Sequence, residues 1–411
     1  MKIIHLTYAD SGGAHNAVHR IHQALQKKNI DSKLWVNRSS LNDSTVKPVN
    51  RINKLVNDFR RHLIKSSLVK TLKTKNKIIH SPSILPSRWV KQINVSDADI
   101  IHLHWVQDEM LSIKDISMIK KPIVWTLHDM WAFCGAEHYA NNSRWREGYN
   151  SNNRPNYESG FDLNLWTWQR KKKYWKKPIR IVTPSRWLAN CVSESKLMSN
   201  WPVQTIPNPI DTDIWKPMDK KFAREEFNFP LDVSLILFGA MGGGKDPRKG
   251  FDLLLKSLKN LKNVLKTKKL ELVVFGQNKI KSQIDIGFPI HYIGHLQNNL
   301  RLKAAYNAAN VMIVPSRQDN LPSTAIEAQA CGTPVVSFNV GGLTDIIIHQ
   351  KTGYLAKKFD TNDLANGIRW VLDKQEDSKK LNYNSRERAI EKFSETKISD
   401  DYLNIYKKLL D

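Results

Sequence analysis

The sequence predicts an α/β protein of two domains, each built on a parallel sheet, from three observations. Its 411 residues accommodate two domains of about 150–200 residues each. Residues 2–27 and 235–260 each read as an apolar strand, a Gly-rich turn and a helix. Residues 313–344 read as strand, loop, helix and strand, with Asp319 and Glu327 in between. Loops after the carboxyl ends of parallel strands are where open α/β sheets bind ligands. A hydrophobic content of 41% supplies cores and excludes a disordered chain.

The opening KIIHLTY is a buried strand ending in Ser11-Gly12-Gly13, and Ala17, Val18, Ile21 and Leu25 give the next segment helical periodicity. Strand, Gly-Gly turn and helix open a Rossmann-like domain, where Gly12 and Gly13 let backbone approach a ligand. The same stretch reads as a first strand rather than a signal peptide. Residues 47–91 hold twelve Lys or Arg and one acid, Asp58. Within them Ile52, Leu55, Val56, Phe59 and Leu63 recur at helical spacing, so a basic amphipathic helix is expected, suited to an anionic membrane or to packing on its own domain. DIIHLHW and IVWTL are further strands, followed by His104 and Trp105 in one case and by His128 and Asp129 in the other. His102, His104 and His138 raise a zinc site but lack a fourth-ligand pattern. Residues 139–160 read as a polar loop or lid.

Next, LWTWQRKKKYWKKPIR carries four aromatic rings among seven basic residues. That composition suits a membrane interface, bases of a nucleic acid, or a helix that turns its tryptophans inward. Pro207, Pro209 and Pro217 mark the passage to a second domain. There AMGGGKDPRKG follows the strand Leu235–Gly239, and its glycines with Lys245, Arg248 and Lys249 suit a diphosphate. Strands near 270–275 and 290–293 end at Gly276 and shortly before Leu296. Ser323 and Thr324 are cap candidates for the helix that carries Glu327, whose free N–H groups suit an anion.

The net charge of +25 fits a nucleic-acid, anionic-membrane or phosphorylated partner. Cys134, Cys191 and Cys331 show neither metal spacing nor an even disulfide framework. No apolar run approaches the roughly 18–20 residues that span a bilayer. A cytoplasmic protein, at most attached to a surface, is expected.

Asp319, then Glu327-Ala328-Gln329-Ala330-Cys331-Gly332-Thr333-Pro334, then Gly341-Gly342 resembles the donor-site signature of the retaining GT-B glycosyltransferases of family 4. The first acid is more often Glu in that family, one methylene longer than Asp319. TLHDMWAFCGAEHY resembles its members from bacterial surface-polysaccharide pathways. IVTPSRWLANCVS and IPNPID resemble the end of its first domain and its linker, with Pro209 where Gly is usual. The resemblance implies two Rossmann-like domains facing an interdomain cleft. Residues 1–207 would form the acceptor domain, 208–389 the donor domain, and a helix at about 390–411 would cross back to the first. It implies His128 beside the transferred sugar, Asp319 on sugar hydroxyls, and Lys249 on the leaving diphosphate. Gly243 falls where the family's partner Arg usually stands, and Lys245, with Arg248, would substitute. Glu327 would hold the ribose, Gly12, Gly13 and the backbone of Asn320, Leu321, Pro322, Ser323 and Thr324 the phosphates, and Gly276 and Leu296 the base.

The expected activity is retaining transfer of a hexose-type sugar from a nucleotide-diphosphate donor, a UDP-sugar first, by front-side displacement. No cofactor and no metal is expected. The expected acceptor is a lipid-linked glycan in surface polysaccharide synthesis, met on the inner face of the cytoplasmic membrane, with no nucleic-acid partner. Two alternatives remain: a sugar-nucleotide epimerase or hydrolase of the same fold, which turns over donor without acceptor, and a basic nucleic-acid-binding protein, which leaves the paired-acid motif unexplained.

Overall fold

The computed structural model describes all residues except 11, 41, 50, 240–245, 265–268, 279–284, 297 and 375–377. The chain divides into two compact units, Met1–Ile206 with Ile398–Asp411, and Pro207–Lys397.

In the N-terminal unit the strands are β1 (Lys2–Ala9), β2 (Asp31–Arg38), β3 (Val46–Pro48), β4 (Leu72–Lys73), β5 (Ile100–Leu103), β6 (Ile123–Thr126), β7 (Ser159–Gly160), β8 (Arg180–Thr183) and β9 (Val203–Thr205). Seven form a parallel sheet in the order β3-β2-β1-β5-β6-β8-β9, while β4 and β7 pair separately and antiparallel. In the C-terminal unit β10 (Ser234–Gly239), β11 (Leu270–Phe275), β12 (Ile290–Tyr292), β13 (Val311–Val314), β14 (Val335–Phe338) and β15 (Gly353–Ala356) make a parallel sheet ordered β12-β11-β10-β13-β14-β15. Strand order reverses between β1 and β5 in the first sheet and between β10 and β13 in the second. Such switch points open a crevice at the carboxyl edge. The turns after β1, β5, β10 and β13 carry most of the candidate residues.

Strands covered on both faces must be apolar throughout, and β10, β13 and β14 are buried at every position. The helix Ala14–Gln26 buries the expected register, Ala17, Val18, Ile21 and Leu25, with Ile21 and Leu25 against Ile3 of β1 and Val18 against Leu34 and Val36 of β2. The last helix, Glu395–Leu410, inserts Ile398, Tyr402, Ile405 and Tyr406 into the N-terminal core beside Ile3, Ile100 and Val124. Two hydroxyls fix it there: Tyr406 Oη lies 2.6 Å from His102 Nδ1, and Tyr402 Oη 3.1 Å from Thr126 Oγ1.

The basic helix Arg51–Ser67 forms where the periodicity places it, but it is turned outward. Leu55 and Phe59 are 72% and 67% exposed, and Val56 and Leu63 are exposed too. Polar groups hold the other side. Asp58 accepts from Arg38 at 2.6 Å, Arg60 donates to Pro86 O at 2.6 Å, and Arg61 and Lys65 both pair with the buried Asp108. Of the two packings expected from the sequence, the one that turns the apolar face onto its own domain and leaves the lysines in water does not describe this arrangement.

The tryptophan-rich stretch behaves differently again. Trp168 and Trp175 are buried, so these two rings cannot sit at a membrane interface. Lys171 is fully buried with them, its ammonium 3.8 Å from the Trp131 ring centroid and donating to Trp131 O, Cys134 O and Gly135 O. Burial pulls its pKa down to about 7. Three carbonyls and an indole face are what an ammonium needs when removed from water. Within the loop 139–160, Arg144 is buried and donates to Asp162 at 2.7 Å, and Trp145 and Tyr149 are buried with it.

Candidate functional site

The candidate residues fall into two groups, one in each unit. In the C-terminal group the loop after β10 leaves Lys245 and Gly243 outside the described residues. Asp246 caps the short 3-10 turn Pro247–Lys249 by accepting from Arg248 N at 2.9 Å. The turn ends at Gly250, whose φ is +69° and where a Cβ would lie 1.9 Å from Pro315 O. Only glycine allows that approach, which presses the turn against the end of β13. Lys249 Nζ thereby donates to Asp319 Oδ2 at 2.7 Å, Ser316 Oγ donates at 3.2 Å, and Arg248 Nη1 lies 3.8 Å from Oδ1. On the other side Gly341, φ +55°, has room for no Cβ, since one would lie 2.2 Å from Asp319 O. Gly250 and Gly341 therefore serve close packing around the loop that carries Asp319, one against Pro315 and the other against Asp319 itself.

Burial alone would raise the Asp319 pKa, but the Lys249 ammonium and the Arg248 guanidinium hold it below the usual carboxylate range. The sequence expectation kept Asp319 and Lys249 as separate groups, one for sugar and one for phosphate; in this structure they are an ion pair. Glu327 sits on the helix Ser323–Ala330 and accepts from Tyr306 Oη at 2.8 Å. Tyr306 had no signal in the sequence, since an aromatic in the helix Asn299–Ala308 reads as core, and its ring is indeed buried against Trp215 and Phe275. Pro322, not Ser323 or Thr324, is the N-cap, and no side chain caps this helix. Ser323 and Thr324 occupy its first turn instead, and Pro322 has no N–H to offer. Asn320 and Leu321 are buried beside Asp319. Gly276 donates to Gly294 O at 2.8 Å, and Leu296 is half-buried on the same core.

In the N-terminal group Gly12 N donates to Asn16 Oδ1 at 2.8 Å, and His15 N donates to Gly12 O at 2.9 Å; Gly13 is exposed, with open space where a Cβ would lie. His128 follows β6 and its Nε2 lies 3.2 Å from His104 Nδ1. Burial pulls its pKa down to about 4, against the opposing pull of Asp129, so the ring is neutral near pH 7. Asp129 accepts from Trp105 Nε1 at 2.9 Å and Trp131 N at 2.9 Å, and lies 2.6 Å from His138 Nδ1. His138 turns its other nitrogen to Ser81 Oγ at 2.9 Å, so it does not join His102 and His104 as the zinc alternative required. Among the described residues the imidazoles that do cluster are His5, His102 and His104, with ligand atoms within 4.8 Å of one another.

Two family models match the chain: Glycosyltransferase Family 4 over residues 11–214 and Glycosyl transferases group 1 over residues 219–388. The D-inositol 3-phosphate glycosyltransferase 2 of Catenulispora acidiphila is 31% identical over 185 residues, 42% of this chain and 42% of that protein. The matches span about half or less of the curated relatives' length. Among solved structures, sucrose-phosphate synthase from Thermosynechococcus elongatus superposes with a TM-score of 0.68 at 18% identity, covering 100% of this chain and 99% of that one. HepE from Anabaena, in complex with UDP, gives 0.63 at 13% identity over 99% and 100%. With a parallel Rossmann-like sheet in each unit, and family models across both, this chain belongs to the GT-B glycosyltransferases of the family 4 type.

Proposed function

We propose that the protein transfers a hexose-type sugar from a nucleotide-diphosphate donor to a glycan hydroxyl with retention of configuration. The observation that carries this reading is the Lys249–Asp319 pair at the end of β13, beside a helix start that no side chain caps. A helix N-terminus and two adjacent cations favour a diphosphate, and a buried carboxylate favours sugar hydroxyls. In front-side displacement the bond from the anomeric carbon to the phosphate oxygen breaks. The acceptor oxygen bonds to that carbon on the same face, and its proton passes to the departing phosphate. Lys249 and Arg248 stabilise the charge that develops there, and His128 orients the sugar. Glu327, held by Tyr306, accepts the ribose hydroxyls. UDP-sugars come first among donors because structures of the Anabaena relative hold UDP and UDP-glucose.

A thermal-shift screen of UDP, GDP, ADP and CMP tests the donor half. One nucleotide diphosphate, at about a hundred times its Kd, is expected to stabilise the protein by about 2.7 kcal/mol, or about 5–10 °C. Glu327→Ala should abolish that shift while leaving the apo melting temperature within a few degrees. A response equal in wild type and variant counts against the site. Turnover of the matching sugar nucleotide without acceptor would favour the epimerase or hydrolase alternative. D-inositol 3-phosphate belongs in the acceptor panel, because the curated relatives are named for it.

The lipid-linked acceptor is supported by the outward face of Arg51–Ser67, where Leu55 and Phe59 stand exposed on a basic helix. Such a face inserts shallowly beneath anionic headgroups. The protein should float with vesicles containing anionic lipid and much less with neutral ones, and Leu55→Ser with Phe59→Ser should reduce flotation several-fold. Equal flotation of the double variant removes this support.

A further inference from the structure

The N-terminal sheet changes chemistry along its length. Ile3, Ile100 and Val124 make an apolar layer under the helices Ala14–Gln26 and Glu395–Leu410. Side chains two residues apart share a face, so the next layer toward the carboxyl edge is His5, His102 and Thr126, and the one after it Thr7, His104 and His128. His102 is complete in itself, with Nδ1 at 2.6 Å from Tyr406 Oη and Nε2 at 2.8 Å from Thr126 Oγ1. The other three rings form a chain. His5 Nδ1 lies 3.0 Å from His104 Nε2, and His104 Nδ1 lies 3.2 Å from His128 Nε2.

These contacts argue against a metal in the cluster. Both nitrogens of His102 and both of His104 are already engaged, so three convergent lone pairs are not available without breaking two layers of hydrogen bonds. His5 and His104 are buried and His128 partly so, and all three rings are neutral: burial holds His5 and His104 well below the usual imidazole range and His128 at about 4. A neutral imidazole has one N–H and one lone pair. Two links between three such rings admit only two proton arrangements. In the first, His5 Nδ1–H donates to His104 Nε2, His104 Nδ1–H donates to His128 Nε2, and His128 carries its proton on Nδ1. In the second every proton is reversed, and His5 must carry N–H at Nε2. That nitrogen is buried and has no hydrogen-bond partner among the described residues. A buried orphan N–H is rarer and costlier than an unused lone pair, so the first arrangement is favoured.

We propose that His104, oriented in turn by His5, is a positioning residue that fixes His128 as the Nδ1–H tautomer, so that His128 offers its ligand a donor rather than an acceptor. The group it meets is then an oxygen lone pair, on a sugar hydroxyl or a phosphate. That consequence rests on the glycosyl-transfer reading. The tautomer does not, and it is measured in the free protein.

The experiment is long-range proton–nitrogen correlation at pH 7 on protein labelled with nitrogen-15 in its 13 histidines, with His128 assigned from the signal lost in His128→Gln. His128 is expected to show a bare Nε2 and a protonated Nδ1, and His104 the same. In His104→Phe the single tautomer of His128 should give way to averaged nitrogen shifts, and kcat should fall more than KM changes. His104→Asn, whose carboxamide can return a donor near the Nδ1 position, should recover part of both. If His104→Phe fails to fold, the wild-type spectrum still decides. A protonated Nε2 on His128 overturns the proposal, as does an unchanged single tautomer in folded His104→Phe. One tightly bound divalent metal per chain whose removal by a chelator shifts the His5 and His104 signals overturns it too.

Discussion

Lowering the pH from about 6.5 toward 4 is expected to unfold the N-terminal unit before the C-terminal one. His5, His15, His22, His80, His102, His104 and His128 all lie in that unit, and burial is the largest cause holding each below its ordinary value. His15, His22, His80 and His128 fall to about 4. Between 6.5 and 4 the unfolded chain takes up protons that the folded unit refuses, so stability present above the unfolded value is lost as the pH falls. Each of these four accounts for about 3 kcal/mol over that window. Together they match the whole stability of an ordinary domain, about 5–15 kcal/mol, and the transition should fall near pH 5. Amide exchange of β1, β5 and β6 against β10, β13 and β14, followed with pH, checks it. Simultaneous loss of protection in both sheets, or an intact first sheet at pH 4, would sink the idea. His22→Gln should lower the proton uptake on unfolding by about one.

Lys249→Ala should reduce sugar transfer by about 10²–10³-fold, the usual loss when a preorganised group facing developing charge is removed. The same change strands Asp319, whose carboxylate is nearly buried; Arg248 at 3.8 Å and the Ser316 hydroxyl compensate only in part. An accompanying stability loss of about 1–3 kcal/mol is expected, less than for a fully buried pair because Lys249 is partly exposed. The Lys249→Ala, Asp319→Asn double variant should regain most of that stability and none of the rate. Rates at saturating donor, with thermal unfolding of wild type and both variants, separate the two effects. A Lys249→Ala rate within threefold of wild type would remove Lys249 from the chemistry.

The C-terminal group was legible because its parts are close in sequence. Asp319, Glu327 and Gly341 belong to one strand–helix–strand unit, where spacing fixes geometry. Lys249 was reached through the Gly-rich turn, but its pairing with Asp319, 70 residues away, had no local signal. Tyr306 was hidden for the same reason. Periodicity located the helix Arg51–Ser67 and could not say which face turns inward, because the polar contacts of Asp58, Arg61 and Lys65 that decide it come from distant segments. Composition left the stretch 165–180 open between a surface and the core; Trp168 and Trp175 are buried, and the Lys171 ammonium is satisfied by carbonyls of residues 131–135, which no window around it contains. The H-x-H of β5 placed His102 and His104 on one face. Their partners on β1, after β6 and on the last helix lie up to 304 residues off.

The tyrosine-fixed last helix has a further consequence for how the chain is made. The first unit to leave the ribosome lacks the segment Ile398–Asp411, which closes its core over Ile3, Ile100 and Val124. Roughly 200 more residues must be synthesised before that segment appears, about 10–40 s at ordinary elongation rates. Throughout that interval His102 and Thr126 have no tyrosine to meet and the apolar layer beneath them is open. The half of the molecule born first is thus completed last, and a nascent chain stalled short of residue 398 presents that open core to chaperones.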